Sequence, residues 1–405
     1  MKSNLSTICD YRKGKVDVAT LTHLSYISTE NMLPNKGGIT SAASLPTISQ
    51  TQEYRKGDVL VSNIRPYFKK IWKAKTDGGC SNDVLVFAAK DGTDPDFLYY
   101  VLADDSFFEY SMATSKGTKM PRGDKTSIMR YQVPSIDIST QRRIASILRS
   151  LDDKIELNTE INNNLEQQAM ALFKSWFVDF EPFEDHMVAS PVGFEIPMSL
   201  KMVQINDIPH LLETGKRPKG GAVSEGIPSV GAENVKQLGV FDSGSAKFIP
   251  YDFASSMKKG KISGYELLLY KDGGKPGTFT PHFSMFGEGF PYDEFFINEH
   301  VFKLDFHDRG FNEFAYLYMQ TDYPYYWLAN NGGKAAIPGI NQQDVNAIWI
   351  YSPENPKVQE FCEWVQPLFT TILSNCAQNM KLAKLRDAIL PKLMSGELDV
   401  SDIEL

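Results

Sequence analysis

The residues of this chain whose types and spacing could do chemistry are lysines, arginines and glycines gathered in short loops. Ser115 to Arg122 reads Ser-Lys-Gly-Thr-Lys-Met-Pro-Arg, and Lys116, Lys119, Arg122 and Lys125 crowd four cations into one stretch. A shift of 217 residues lays this loop on Gly332 to Gly339, where Lys334 follows paired glycines. The second half adds Lys216-Arg217-Pro218-Lys219 and Lys275, which sits among glycines from Gly273 to Gly277. Arg65 and Lys69 lie in a basic stretch from Arg55 to Lys75. Glycine lets backbone approach a phosphate, lysine neutralises it, and arginine can grip guanine with two hydrogen bonds. Such loops bind phosphate-rich duplexes and make no bonds. Any one of them reads equally well as a solvated charged surface, and it is their recurrence at matched places that points to nucleic acid.

Motifs for catalysis are missing. There is no GxxxxGK[ST] phosphate loop, no HExxH among the six histidines, no GxSxG and no [DN]PP[YF] tetrapeptide of the kind that grips a target base. The pair Asp152-Asp153 falls on a polar helix face and reads as solvated charge. Cys9, Cys80, Cys362 and Cys376 form neither a CxxC pair nor a ladder of short spacings, so the expectation is free thiols in a reducing cytosol and no metal site. No apolar run approaches the ~18 residues of a membrane span, and no signal peptide opens the chain. These readings predict a cytoplasmic, non-catalytic protein without cofactor or metal. The formal net charge of −8 is awkward for a DNA binder, but the charge is uneven. The basic stretches stand against an acidic tail of Glu397, Asp399, Asp402 and Glu404.

The elements that must position these loops are set by an internal repeat. The same offset takes Val84 to Val301, Pro121 to Pro338, Asn158 to Asn375 and Leu165 to Leu382, without a gap from about residue 81 to about 394. Nearer the N-terminus the match needs gaps, pairing Asp58-Val59-Leu60 with Glu266-Leu267-Leu268. The chain is therefore two copies of a mixed region followed by a long helix. The expected division is a globular region over 1–138, a helix over 139–180, a linker over 181–197 in which Pro182, Pro191 and Pro197 block regular structure, a second globular region over 198–354, and a second helix with the tail over 355–405. Ser139-Thr140 is expected to cap the first helix and Asn355-Pro356 the second, with Gly396 ending the latter. Apolar residues step by four and three from Ile144 to Trp176 and from Phe361 to Leu393, the signature of a coiled-coil seam. Asn158 and Asn162 interrupt one seam, and Asn375 and Asn379 interrupt the other at the same places. Asparagine there costs stability and fixes register, so the helices are expected to pair. The strands are expected at 58–62, 84–87, 267–270 and 301–304. Aromatic-rich helices over about 95–112 and 314–328 are expected to be core. The fold class is α+β with an internal duplication: two globular regions separated by an antiparallel coiled coil, related by an approximate two-fold.

The arrangement resembles the specificity subunits of type I restriction-modification systems. Gln141-Arg-Arg-Ile-Ala-Ser-Ile-Leu-Arg-Ser-Leu-Asp-Asp-Lys-Ile-Glu-Leu-Asn158 is similar to that family's central conserved region, and Lys384 to Leu398 to its C-terminal one. Tyr26-Ile-Ser-Thr-Glu-Asn31 resembles a segment near the start of its target-recognition domains. The resemblance spans the chain. It implies two target-recognition domains, each reading half of a split, non-palindromic site in double-stranded DNA. It further implies two methyltransferase subunits bound along the helices, which methylate adenine with S-adenosylmethionine, and a motor-nuclease subunit that cleaves unmodified DNA. No base-reading residue carries over, because the family's recognition loops vary, and Arg386 departs from the seam where the first copy has Ala169. A coiled-coil adaptor without direct DNA reading stays open as the alternative. If the reading of the motifs is right, the purified chain mixed with DNA and labelled S-adenosylmethionine transfers no label and cuts no DNA; methyl transfer by this chain alone would overturn it.

Overall fold

The computed structural model describes residues 2–242, 244, 246–273, 275–333 and 337–401. The chain divides into two compact units, Met1–Lys154 with Leu382–Leu405, and Ile155–Lys381. Each unit combines one globular region with part of both long helices, so neither unit is bounded by the globular region alone.

The first unit is built on a four-stranded antiparallel sheet. Its strands are β1 (Cys9–Tyr11), β2 (Val59–Ser62), β3 (Ile71–Lys73) and β4 (Val84–Ala89), in the order β1-β4-β2-β3. β2 is buried along its whole length, as its unbroken Val-Leu-Val run requires. Asp58 starts it by accepting the Arg55 N–H at 2.9 Å and a two-pronged pair from Arg12, with the closer contact at 2.6 Å. Helices α1 (Pro95–Ala103) and α2 (Asp105–Ala113) cover the sheet. The single aromatic-rich helix expected over 95–112 is thus two. Asp104 leaves the helical backbone at ψ 137° and uses its carboxylate to accept the Ser106 N–H, capping the second piece. Phe97, Tyr100, Phe107 and Phe108 are buried, as core aromatics should be.

The second unit repeats the plan. Strands β5 (Leu211–Thr214), β6 (Leu267–Tyr270), β7 (Phe283–Ser284) and β8 (Val301–Asp305) lie in the order β5-β8-β6-β7. Glu266 accepts the Ser263 N–H at 2.8 Å, as Asp58 accepts from Arg55 three residues before it. Helices α4 (Arg309–Tyr318) and α5 (Asp322–Gly332) stand where α1 and α2 do in the first unit, α3 being the long helix between. The stretch expected to be a structureless linker contains a hairpin instead. Met187–Ala189 pairs with Glu195–Pro197, and Val188 faces Ile196. Pro191 sits in its turn and Pro197 at its end, where neither must donate to the ladder.

The long helices are α3 (Ile138–Phe177) and α6 (Pro356–Ser395). Asp137, not Ser139 or Thr140, caps α3: its carboxylate accepts both of their amides and both of their hydroxyls. Asn355 caps α6 by accepting the Lys357 N–H at 2.9 Å. Gly396 closes it with φ +77°, a left-handed backbone that glycine adopts freely. In the first unit Ile144 and Leu148 of α3 and Leu390 and Leu393 of α6 join the same core as Phe97 and Val101. Asp152 is not solvated charge. It pairs with Arg386 at 2.7 Å and accepts the Tyr100 hydroxyl at 2.7 Å, which is how the seam accommodates the arginine opposite it. In the second unit Phe173 and Phe177 of α3 pack with Phe361 of α6 and with Phe314.

The seam asparagines lie together in the second unit. Asn158 donates to Gln378 Oε1 at 2.7 Å and Asn379 Oδ1 at 2.8 Å. Asn162 donates to the Ile372 carbonyl at 3.1 Å and accepts from Asn375 at 2.9 Å. Asn379 reaches back to the Ile155 carbonyl and the Thr159 hydroxyl. Residue numbers rise along one helix as they fall along the other, so the two run antiparallel here. Orphaning a buried amide costs about 1–3 kcal/mol, whereas replacing both partners by apolar groups is nearly neutral. Asn162→Leu alone is therefore expected to lower stability by about 1–3 kcal/mol, and Asn162→Leu with Asn375→Leu to recover most of that loss. Thermal unfolding of the three variants gives the coupling; additive losses would mean that this pair does not bridge the helices.

Candidate nucleic-acid interface

In the first unit the basic residues gather because two loops far apart in sequence dock on each other. One leaves β2 as residues 63–70, and the other, residues 115–123, comes after α2. The Arg65 N–H donates to the Pro121 carbonyl at 2.8 Å, and the Gly123 N–H to the Asn63 carbonyl at 3.2 Å. The second loop closes on itself through reciprocal bonds between Lys116 and Arg122, with Gly117 turning at φ +90°. This docks Arg65 on the loop that carries Lys116, Lys119 and Arg122. Lys119 and Met120 are exposed at the tip.

The cations are held loosely. Lys116 pairs with Asp124 at 2.7 Å, yet 81% of its side chain is exposed. Lys116 and then Ser127 hold the Asp124 carboxyl well below its usual range. Arg122 pairs with Asp83 at 3.2 Å and is likewise exposed. Exposed pairs of this kind contribute little, so a phosphate can displace the acid at small cost. Lys125 lies over the Tyr11 ring, 6.0 Å from its centroid. Lys69 and Lys36 share Asp105 at 2.8 and 2.9 Å. One carboxylate between two ammonium groups leaves net positive charge.

The second unit docks the corresponding loops in the same way. The Gly273 N–H donates to the Pro338 carbonyl at 2.9 Å, and the Ile340 N–H to the Lys271 carbonyl at 2.8 Å. Counting from the matched strands β2 and β6, Gly273 stands where Arg65 does and Gly277 where Lys69 does. All four have positive φ: +135° and +81° for the glycines, 51° and 50° for Arg65 and Lys69. One copy thus meets the left-handed positions with glycine, which takes them without strain, and the other spends a cationic side chain on each. Lys275 is exposed between the two glycines. Lys334 lies outside the described residues.

Lys216, Arg217 and Lys219 are exposed on a separate loop after β5. Lys216 and Arg217 line a small cavity with Lys247, Asn298 and His300. Arg217 approaches Glu299 at only 3.8 Å, and Lys247 pairs with Glu233 at 2.7 Å. A neighbouring open groove is lined by Lys236, Gln237, Lys275, Thr278, Thr280 and His282. Burial first, and then Lys236, lower the His282 pKa, which favours a neutral ring able both to donate and to accept. Sequence reading missed Lys36, Lys236, Lys247 and His282. Lys36 does stand beside paired glycines, Gly37 and Gly38, a signal of the same kind as the others, whereas Lys236, Lys247 and His282 sit in no such loop and only the folded chain brings them to the rest. Asn158, Asn162, Asn375 and Asn379 belong to the helix pair and take no part in this surface.

A family model described as the type I restriction modification DNA specificity domain matches residues 2–167. The chain is 28% identical over 323 residues to the type I restriction enzyme MjaIX specificity subunit of Methanocaldococcus jannaschii, covering 78% of this chain and 71% of that one. It is 26% identical over 456 residues to the HindI specificity subunit of Haemophilus influenzae, covering 95% and 96%. The crystal structure of a type I restriction-modification S subunit from M. genitalium shares the fold, with TM-score 0.52 and 15% identity over 97% of this chain and 96% of that one.

Replacing Lys116, Lys119 and Arg122 together by alanine is expected to weaken duplex binding and to flatten its dependence on salt, by roughly 0.9 in the log–log slope per lost phosphate contact. Titration of the full chain at several salt concentrations measures both. An unchanged slope would mean that this loop meets only water.

Proposed function

The chain belongs to the specificity subunits of type I restriction-modification systems, and from that premise we propose that each unit reads one half of a bipartite, asymmetric site in double-stranded DNA. The observation that carries the proposal is the loop pair. Both units dock a loop after a central strand onto a proline carbonyl of a second loop, and both arm the junction with cations. Phosphate contacts from Lys116, Lys119, Lys125, Lys216, Lys219, Lys275 and Lys334 would set position along the backbone. Arg65, Arg122 and Arg217 have the forked donors that suit a guanine edge. The two copies share a backbone plan and differ in side chains, so the two half-sites should differ in sequence.

Catalysis in this reading belongs to other subunits. Two methyltransferase subunits, one for each half-site, would bind along the helices, and a motor-nuclease subunit would join the assembly in the cytoplasm. The chain itself would contribute address alone, with neither cofactor nor metal. An adaptor that never touches DNA would carry no reason to repeat the cationic junction in both halves.

Exchange of the first globular region tests the reading. When residues 1–138 are replaced by those of a relative and the variant is expressed with its methyltransferase subunits, the methylated adenines of the host genome should report a new first half-site and an unchanged second one. A map in which both halves change, or neither, would count against independent reading by the two units.

A further inference from the structure

We infer that Tyr67 and Phe68 of the first unit form an aromatic finger that packs against a base step in its half-site, and that the second unit has no equivalent among its described residues. The inference rests on the DNA reading proposed above and names the mode of contact.

Residues 66–68 form a single tight turn between Arg65 and Lys69, both held at left-handed backbone angles of φ 51°, ψ 66° and φ 50°, ψ 46°. A second loop braces this turn from below. The Asn35 N–H donates to the Phe68 carbonyl at 2.8 Å and the Lys36 N–H to the Lys69 carbonyl at 2.9 Å. Asn35 and Lys36 are themselves at φ 55° and 61°. Four non-glycine residues in this conformation at one place are costly, and such strain persists only where surrounding structure holds it. The strain holds a pair of rings in place. Tyr67 is 49% exposed and Phe68 38%, with centroids 4.7 Å apart. Two adjacent aromatic side chains facing water on a fixed turn add little to a core.

The charge around the rings selects the occupant. Lys70 lies 5.8 Å from the Phe68 centroid and Lys69 flanks the turn from the other side. Arg65 docks it on the Lys116–Arg122 loop, and the buried Arg65 Nε is without a hydrogen-bond partner among the described residues. An apolar tip ringed by cations suits a polyanion that also offers flat apolar faces, which is the chemistry of stacked bases behind phosphates. A protein partner would not call for so many cations of one sign. At the matched positions the second unit has Lys275 and Pro276. Its neighbouring rings, Tyr270 and Phe279, are stacked on each other at 8° rather than presented outward.

The test uses the full chain. Duplexes that it binds are selected from a random library, and 2-aminopurine is placed at each position of the selected site. A rise in fluorescence is expected at one step of one half-site only, where stacking is disturbed. Tyr67→Ala with Phe68→Ala should abolish that rise and weaken binding by about ten- to a hundredfold. The salt slope should stay as in the unaltered chain, because neither ring meets a phosphate. Tyr67→Trp should keep the rise. A double variant that binds and fluoresces as before would overturn the finger, as would one whose salt slope falls, since the rings would then act through the cations. If either happens while the Lys116, Lys119 and Arg122 variant still loses binding, the DNA reading stands and the finger falls. If the full chain selects no duplex, both fall.

Discussion

In the second unit the amide groups of Asn158 and Asn162 are buried between α3 and α6, and the need of their N–H donors for partners sets the register of the two helices there. Apolar seams alone are permissive, because leucine and isoleucine accept a neighbour one turn away almost as well as the right one. Asn158, Asn162, Asn375 and Asn379 do not. A slip of one turn would leave several side-chain amides facing methyl groups, at about 1–3 kcal/mol each. The cost of polar residues in the seam is thus exchanged for a single register. In the first unit the same two helices meet through different chemistry: Arg386 pairs with Asp152, and Leu390 and Leu393 join Ile144 and Leu148 in one core.

Duplication and later divergence explain how one backbone plan gives two surfaces. Features that hold the plan together are repeated: the strand order, the acid that starts β2 and β6, and the proline carbonyls that anchor the loops. Features that face outward are not. Arg65 and Lys69 replace Gly273 and Gly277 at the same turns, so the first unit gains charge at the expense of backbone ease. The net charge of −8 says little about either surface, since it sums over the whole chain while acids such as Asp83, Asp105 and Asp124 stand paired beside the cations.

The fold was legible where periodicity carries it. The seam steps, the asparagines at equal places, the strands around Val59, Val84, Leu267 and Val301, and the repeat itself are all readable from spacing. Local competition hid the rest. Asp104 breaks an aromatic helix because its own carboxylate can cap the helix that starts at Asp105, and a proline count over 181–197 conceals a hairpin that tolerates prolines at its turn and end. At the interface, the loops rich in glycine and lysine could be picked out singly. That Arg65 would touch Pro121 could not, because their contact joins loops some fifty residues apart and depends on the sheet between them. The strain at Arg65 and Lys69 was equally hidden, since neither residue type announces a left-handed backbone.

The first unit is discontinuous in the chain, and this shapes its birth. Ile144 and Leu148 pack with Phe97 and Val101, made before them, but their core is completed only when Leu390, Leu393 and Val400 have been made. The whole of the second unit must leave the ribosome in between, which at about 5–20 residues per second takes tens of seconds. During that interval an apolar stripe of α3 has no cover from α6. The second unit meets no such wait, because its segment is unbroken. The usual vectorial order, in which the first-made region folds first, is therefore reversed in its last step: the unit translated first is the one sealed last.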